Sequence, residues 1–100
     1  MSGAALLALL AHSGGALKDL NINGWRAVPE EALVQIGERA PRLERVDLSW
    51  CRMADNFTVK ALLDGCSGLK EVKVWACNRL TVDCPRRRGV SIAGFEGGQV

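Results

Sequence analysis

The chain has 100 residues, of which 48% are hydrophobic, and this composition suits one soluble domain. A formal charge of +2 is too small to indicate polyanion binding by itself, and no apolar run reaches the roughly 18 residues of a membrane span. Four cysteines without a Cys-x-x-Cys pair and a single histidine argue against a zinc site, and no motif indicates a cofactor.

The first predicted element is a helix from Ser2 to His12. Its Leu7 and Leu10 lie 26 residues before Leu33 and Ile36, which fall on the inward side of a later predicted helix. The segment therefore reads as the back helix of a unit whose strand is absent, so that the chain begins in mid-repeat. A secretory signal over residues 1–13 is the alternative, although this segment lacks a positive n-region.

Three predicted strands follow, each opening a unit of 26 residues. The matching segments are Leu17–Trp25, Leu43–Cys51 and Leu69–Cys77. In each segment positions one, four and six are apolar, and positions four and six alternate with polar residues as in a strand with one buried face. The apolar sets are Leu17, Leu20 and Ile22, then Leu43, Val46 and Leu48, then Leu69, Val72 and Val74. Position nine carries Cys51 and Cys77, whereas Trp25 there predicts a wider first turn.

A helix is predicted behind each of the first two strands. Pro29 suits the first turn of one helix, and Asp55 is a plausible cap for the other. The expected inward residues are Ala32, Leu33, Ile36 and Ala40 in the first helix, and Val59, Leu62, Leu63 and Cys66 in the second.

The last unit lacks a helix. Val72-x-Val74 finds its counterpart in Val90-x-Ile92, an offset of 18, which predicts a short closing strand after an irregular crossing from Asn78 to Gly89. Residues 95–100 are expected to form a frayed tail.

One strand and one helix per unit predict an α/β leucine-rich-repeat solenoid, with a curved parallel sheet on the concave side and helices on the convex side. The expected divisions are a repeat fragment over 1–94, made of a back helix at 1–16, full repeats at 17–42 and 43–68 and a shortened unit at 69–94, followed by the tail. About three repeats are needed for stability, so the array is close to its lower limit.

A binding surface is predicted at positions three, five and seven, which face away from the core and line the concave face in columns. The columns are Asp19, Arg45 and Glu71, then Asn21, Asp47 and Lys73, then Asn23, Ser49 and Trp75. Trp75 is expected to be an exposed anchor for a partner, and packing under the C-terminal crossing is the alternative. Trp50 is expected to cover the edge of the turns and Trp25 to lie in the core.

Arg86, Arg87 and Arg88 form the densest charge cluster, which could contact phosphates or an acidic surface or could be a solvated loop. The cysteines are interpreted as reduced core thiols of an intracellular protein. No phosphate loop, nucleophile elbow or acid–base pair is found, so no enzymatic activity is expected.

The pattern Leu-x-x-Leu-x-Leu-x-x-Cys, with a helix that runs into Gly65-Cys66-Ser67-Gly68-Leu69, resembles the cysteine-containing leucine-rich repeats common in F-box receptors of ubiquitin ligases. The segment from Leu69 to Thr81 and its continuation from Cys84 to Gly94 resemble the C-terminal end of the fungal leucine-rich-repeat repair protein of the radiation-sensitivity (Rad) series.

The second resemblance implies a non-catalytic nuclear subunit of the global-genome nucleotide excision repair factor. Its implied partners are a SWI/SNF-type ATPase with a RING domain and a cullin-type ubiquitin ligase joined through an elongin-C-like adaptor. The alternatives are the substrate-recognition repeats of an F-box receptor and a nucleic-acid-binding module that uses Arg86 to Arg88.

Overall fold

The computed structural model describes residues 3–25, 28–81 and 84–94. Three helices and four strands lie in these ranges, and they follow one another as α1 (Gly3–Ser13), β1 (Asp19–Asn21), α2 (Glu30–Arg39), β2 (Arg45–Asp47), α3 (Asn56–Gly65), β3 (Glu71–Lys73) and β4 (Ser91–Ala93). A short 3-10 turn, Gly14–Ala16, links α1 to β1. The protein is therefore an α/β structure.

The four strands form one parallel sheet in the order β1-β2-β3-β4. Leu20 pairs with Val46, and Val46 pairs with Val72, so the first three strands keep the offset of 26 residues that the sequence predicts. This register is favoured because it sets the inward side chains of neighbouring strands in one apolar row.

The closing strand pairs differently from the prediction. Val72 lies opposite Ile92, an offset of 20, and not opposite Val90. A slip of two residues keeps the same side chains on the same face, because the side-chain period of a strand is two. The apolar pattern alone therefore could not fix the register of β4.

The core lies between the sheet and a layer of helices. All of the residues predicted to face inward from α2 and α3, including Leu33, Ile36 and Leu62, are buried, and α2 packs against both α1 and α3. In α1 the buried residues are Leu6 and Leu10, whereas Leu7 is only half-buried. Subtraction of 26 therefore predicts the burial of Leu10 correctly, while Leu7 packs at the margin of the core.

The two long helices start differently. The Asp55 carboxylate accepts the Thr58 N–H at 3.1 Å, and Thr58 Oγ1 accepts the Asp55 N–H at 3.3 Å, which makes a reciprocal cap at the start of α3. Pro29 precedes α2, which has no side-chain cap but begins with Glu30 and Glu31, whose charges suit the positive end of the helix dipole.

The predicted tail at 95–100 lies outside the described residues. Within the described ranges, no helix is long and apolar enough to cross a bilayer.

Candidate functional site

One face of the sheet carries the polar residues of the three repeat strands. Side chains at positions three and five of each unit point away from the helices, and they line a shallow concavity together with Leu20 and Val46. We call this surface the polar sheet face, and it consists of Asp19, Asn21, Arg45, Asp47, Glu71 and Lys73. The structure thus brings together six of the nine residues that the sequence predicts for partner binding.

The concavity has a volume of about 220 Å³. Pockets that enclose small molecules span roughly 300–1,000 Å³ and bury most of their ligand. The shallow, charged surface therefore suits contact with side chains of a macromolecule better than capture of a small ligand.

Charges on β1 and β2 contact each other. The Arg45 guanidinium lies 3.5 Å from the Asp19 carboxylate, and both side chains are exposed. An exposed pair of this kind contributes roughly 0–1 kcal/mol, so it orients the side chains more than it stabilises the fold.

At the ends of β1 and β2, the side chain at position five accepts the backbone N–H of the residue at position seven. The Asn21 side-chain oxygen accepts the Asn23 N–H at 2.9 Å, and Asp47 Oδ1 accepts the Ser49 N–H at 2.9 Å. Short polar side chains favour such local turns. Asp47 Oδ2 also accepts a hydrogen bond from Asn23 Nδ2 at 3.5 Å, which links the first two units.

Position seven departs from the prediction at Ser49. This residue is only 2% exposed, and its Oγ accepts the Trp75 N–H at 3.2 Å. The expectation that Ser49 is available to a partner is therefore wrong, because its hydroxyl satisfies a backbone donor of the next unit. Asn23 and Trp75, its neighbours in the same column, are exposed.

Two tryptophans follow the C-terminal ends of β2 and β3, beside this face. Trp75 is 52% exposed and Trp50 is 51% exposed, and the Trp50 N–H donates to the Trp75 carbonyl at 2.8 Å. Gly94 packs against Trp75, since a Cβ built at Gly94 would lie 2.6 Å from Cδ2 of the indole. The contact shown is with Gly94, just after β4, and not with the crossing from Asn78 to Gly89, and half of the residue stays accessible.

The first turn is no wider than the others. The Trp25 N–H donates to Ile22 O at 3.1 Å, and the matching bonds of Cys51 and Cys77 measure 3.0 and 3.1 Å. Trp25 is half-buried and packs against the core. A bulky residue is accepted at position nine of this unit without any change in the turn.

The cysteines are free and buried, as predicted for core thiols. The Cys51 thiol donates to Ile22 O at 3.2 Å, and the Cys77 thiol donates to Leu48 O at 3.1 Å, so each links its turn to the preceding unit. Burial, reinforced by the neighbouring Cys77, raises the pKa of Cys51 to about 12, and burial raises the pKa of Cys77 to about 11. Such thiols are poor nucleophiles because the thiolate is the reactive form.

The three arginines of the cluster differ in their surroundings. The Arg87 guanidinium donates to the carbonyls of Leu63, Cys66 and Ser67, at 2.9 Å for Cys66 and 3.5 Å for Ser67. Arg87 therefore caps the C-terminal end of α3, where unpaired carbonyls and the helix dipole favour a cation. The predicted use of Arg87 in a phosphate contact conflicts with this placement, while Arg86 and Arg88 are exposed.

Sequence reasoning missed one exposed aromatic residue. Phe57 in the first turn of α3 is 67% exposed. Its position could have been found, because Phe57 precedes the inward residue Val59 by two and so falls on the opposite side of the helix.

The described residues contain no group of three or more His, Cys, Asp or Glu side chains that could hold a metal ion. No family model matches the sequence, and no curated protein is similar to it at a significant level. The fold, in contrast, is similar to that of a chain in the crystal structure of the Rad7 and Elc1 complex in yeast, with a TM-score of 0.87 and 24% sequence identity. That similarity covers 100% of this chain and 25% of the other, so the two share a fold over about a quarter of the longer protein.

Proposed function

We propose that the chain is a section of a leucine-rich-repeat solenoid that binds other proteins through its polar sheet face. The observation that carries this proposal is the common register of β1, β2 and β3, which sets equivalent positions of three units side by side on one accessible surface. Repeat proteins use such stacked surfaces for binding. A half-exposed tryptophan at the edge of the surface adds the type of residue that often dominates interface energetics.

The scaffold is proposed to belong to a nuclear subunit that acts in DNA-damage recognition during nucleotide excision repair and is associated with a ubiquitin ligase. Two observations support this role: the resemblance of the segments after Leu69 and Cys84 to the Rad-series repair protein, and the fold shared with a chain of the Rad7 and Elc1 complex. The proposed partners are a SWI/SNF-type RING ATPase and an elongin-C-like adaptor.

We propose a non-catalytic role for the chain. Its thiols are buried with raised pKa values, which makes them unsuited to nucleophilic chemistry. The shallow polar sheet face does not exclude water from a reacting group, whereas a catalytic site usually does.

The test is to mix the purified protein separately with the RING ATPase and with the elongin-C-like adaptor, and to measure complex formation by size-exclusion chromatography and calorimetry. We expect a complex with at least one of them, weakened about tenfold or more by Trp75→Ala. Phe57→Ala is the control, because it removes another exposed aromatic ring, from a helix behind the sheet. Failure of both proteins to bind the unmodified chain contradicts the proposed function.

A further inference from the structure

Some charged residues of the polar sheet face have ion-pair or hydrogen-bond partners among the described residues of the chain, and others do not. On β1 and β2 the engagement is extensive: Asp19 pairs with Arg45, and both carboxylate oxygens of Asp47 accept hydrogen bonds. A partner that bound these groups would have to compete with contacts that already exist. Binding to these groups therefore gains less than binding to groups without such contacts.

The third strand is different because of Lys73. It occupies position five, where the side chains of Asn21 and Asp47 accept the N–H of the residue at position seven. An ammonium group cannot accept a hydrogen bond. The Trp75 N–H is accepted by Ser49 instead. Within residues 3–25, 28–81 and 84–94, neither the Lys73 ammonium nor the Glu71 carboxylate has a hydrogen-bond or ion-pair partner.

Trp75 continues the same row at position seven. Its indole lies against the backbone of Gly94, whose φ of +92° is a conformation that suits glycine. This contact restricts the orientation of the ring before any partner arrives. A group that is already ordered loses less side-chain entropy on binding.

We propose that partner recognition is concentrated on β3 and the residues that follow it, where Glu71, Lys73 and Trp75 contact an extended segment of a partner protein. The segment carries a basic residue opposite Glu71, an acidic residue opposite Lys73 and a large apolar side chain against Trp75. Alternate residues of a strand are about 6.7 Å apart, so alternate residues of another extended segment match this row in spacing. This inference rests on the proposed function, since it names the chemistry of the protein that the polar sheet face binds.

The experiment uses a phage-displayed library of random peptides selected against the immobilised full chain. We expect selected peptides to share a basic, an acidic and an apolar residue at alternate positions. In fluorescence anisotropy, Lys73→Glu weakens their binding by about tenfold or more, and a peptide whose acidic residue is replaced by lysine regains affinity for that variant. Rescue by the reversed charge identifies the pairing itself, which a general loss of folding could not produce.

The control is Arg45→Ala, which removes, without reversing it, a charge of the same sign on the neighbouring strand. It is expected to change peptide affinity by about twofold or less, because Arg45 is paired within the chain. Peptides that lack the alternating pattern, that ignore Lys73→Glu, or that depend equally on Arg45 overturn the inference, as does a library without binders. If the full chain still forms its complex with the ATPase or the adaptor, such a result leaves the proposed function standing.

Discussion

At the scale of the residue, position eight of each unit shows how the same turn accepts different side chains. Gly24, Trp50 and Ala76 all have positive φ, at 82°, 66° and 61°. A side chain in this left-handed region costs roughly 1–2 kcal/mol, and glycine avoids that cost. The second and third turns therefore hold strain that the first turn does not.

Ala76→Gly is expected to stabilise the protein by about 0.5–1 kcal/mol, because the relief of strain exceeds the backbone entropy that glycine adds to the unfolded chain. The measurement is the free energy of unfolding in urea. Ala8→Gly, the same chemical change on the exposed side of α1, is expected to destabilise by about 1 kcal/mol. If Ala76→Gly also lowers the free energy of unfolding, as Ala8→Gly is expected to do, the turn at Ala76 carries no strain.

The buried thiols predict a pH dependence. The pKa of Cys51 is raised to about 12 in the folded protein, above the value of 9.0 for a free thiol, so between these values the folded state binds more protons than the unfolded state. Its contribution to stability is thus complete below pH 9 and is lost as the pH rises toward 12.

We expect the midpoint of urea unfolding to fall between pH 8.5 and pH 10, and to fall less steeply in Cys51→Ala, which has one thiol fewer to titrate. Lysine side chains titrate with unperturbed values near 10.4, so the comparison of slopes is made below that pH. Equal slopes in the two proteins would mean that Cys51 does not govern the alkaline loss of stability.

At the scale of the element, α2 and α3 meet through glycines. A Cβ at Gly65 would lie 2.0 Å from the Gly37 carbonyl oxygen, and a Cβ at Gly37 would lie 2.1 Å from the Ala61 carbonyl oxygen. These neighbours are backbone atoms of another helix, so a side chain fits only if the helices separate. Gly65 is thus required for the packing of α3 against α2.

Gly65→Ala is expected to cost about 1–3 kcal/mol in urea unfolding, as overpacking typically does. Gly68→Ala is the control, because a Cβ there meets nothing within 4 Å and its φ is not positive. That variant is expected to be neutral or slightly more stable. A similar effect of the two substitutions would contradict the close approach of α2 and α3.

Arg87 joins the C-terminal crossing to the end of α3. Arg87→Ala is expected to lower the free energy of unfolding by about 1–2 kcal/mol, because it leaves helix-end carbonyls without their charged donor. Arg88→Ala removes an exposed neighbour and is expected to change stability by less than about 0.5 kcal/mol. If urea denaturation shows the two variants to be equally stable, Arg87 does not act as a helix cap.

The elements differ in how far their sequence could predict them. The constant offset of 26 residues predicts the pairing of Leu20 with Val46 and of Val46 with Val72, whereas alternation alone leaves slips of two residues open, as at β4. The burial of Ser49 and the capping by Arg87 depend on contacts between residues 20 or more apart along the chain. No local pattern encodes such contacts. The columns of the polar sheet face could therefore be predicted from the sequence, but the differences between its strands could not.

At the scale of the whole molecule, each unit contacts only its neighbours, so stability is expected to vary along the array. Three amides allow a controlled comparison, because they occupy position six of successive units and are equally buried. Ile22 N–H donates to Asp47 O, Leu48 N–H to Lys73 O and Val74 N–H to Ala93 O, at 3.0, 2.8 and 2.8 Å. Only the place of each bond in the sheet differs.

Opening the Leu48 bond requires two inner strands to part, whereas the Ile22 and Val74 bonds open when β1 or β4 leaves the edge. We expect hydrogen exchange measured by NMR to be slowest at Leu48 and fastest at Val74, with rates spread over about tenfold or more. In the part of the chain that the structure describes, no helix lies between β3 and β4 or after β4, and Ile92 is only half-buried. Ile92→Ala is expected to accelerate exchange at Val74 and to leave Leu48 unchanged. Equal rates at the three amides would indicate that the sheet opens as one cooperative unit, and the edge at β4 would then be as firmly held as the centre.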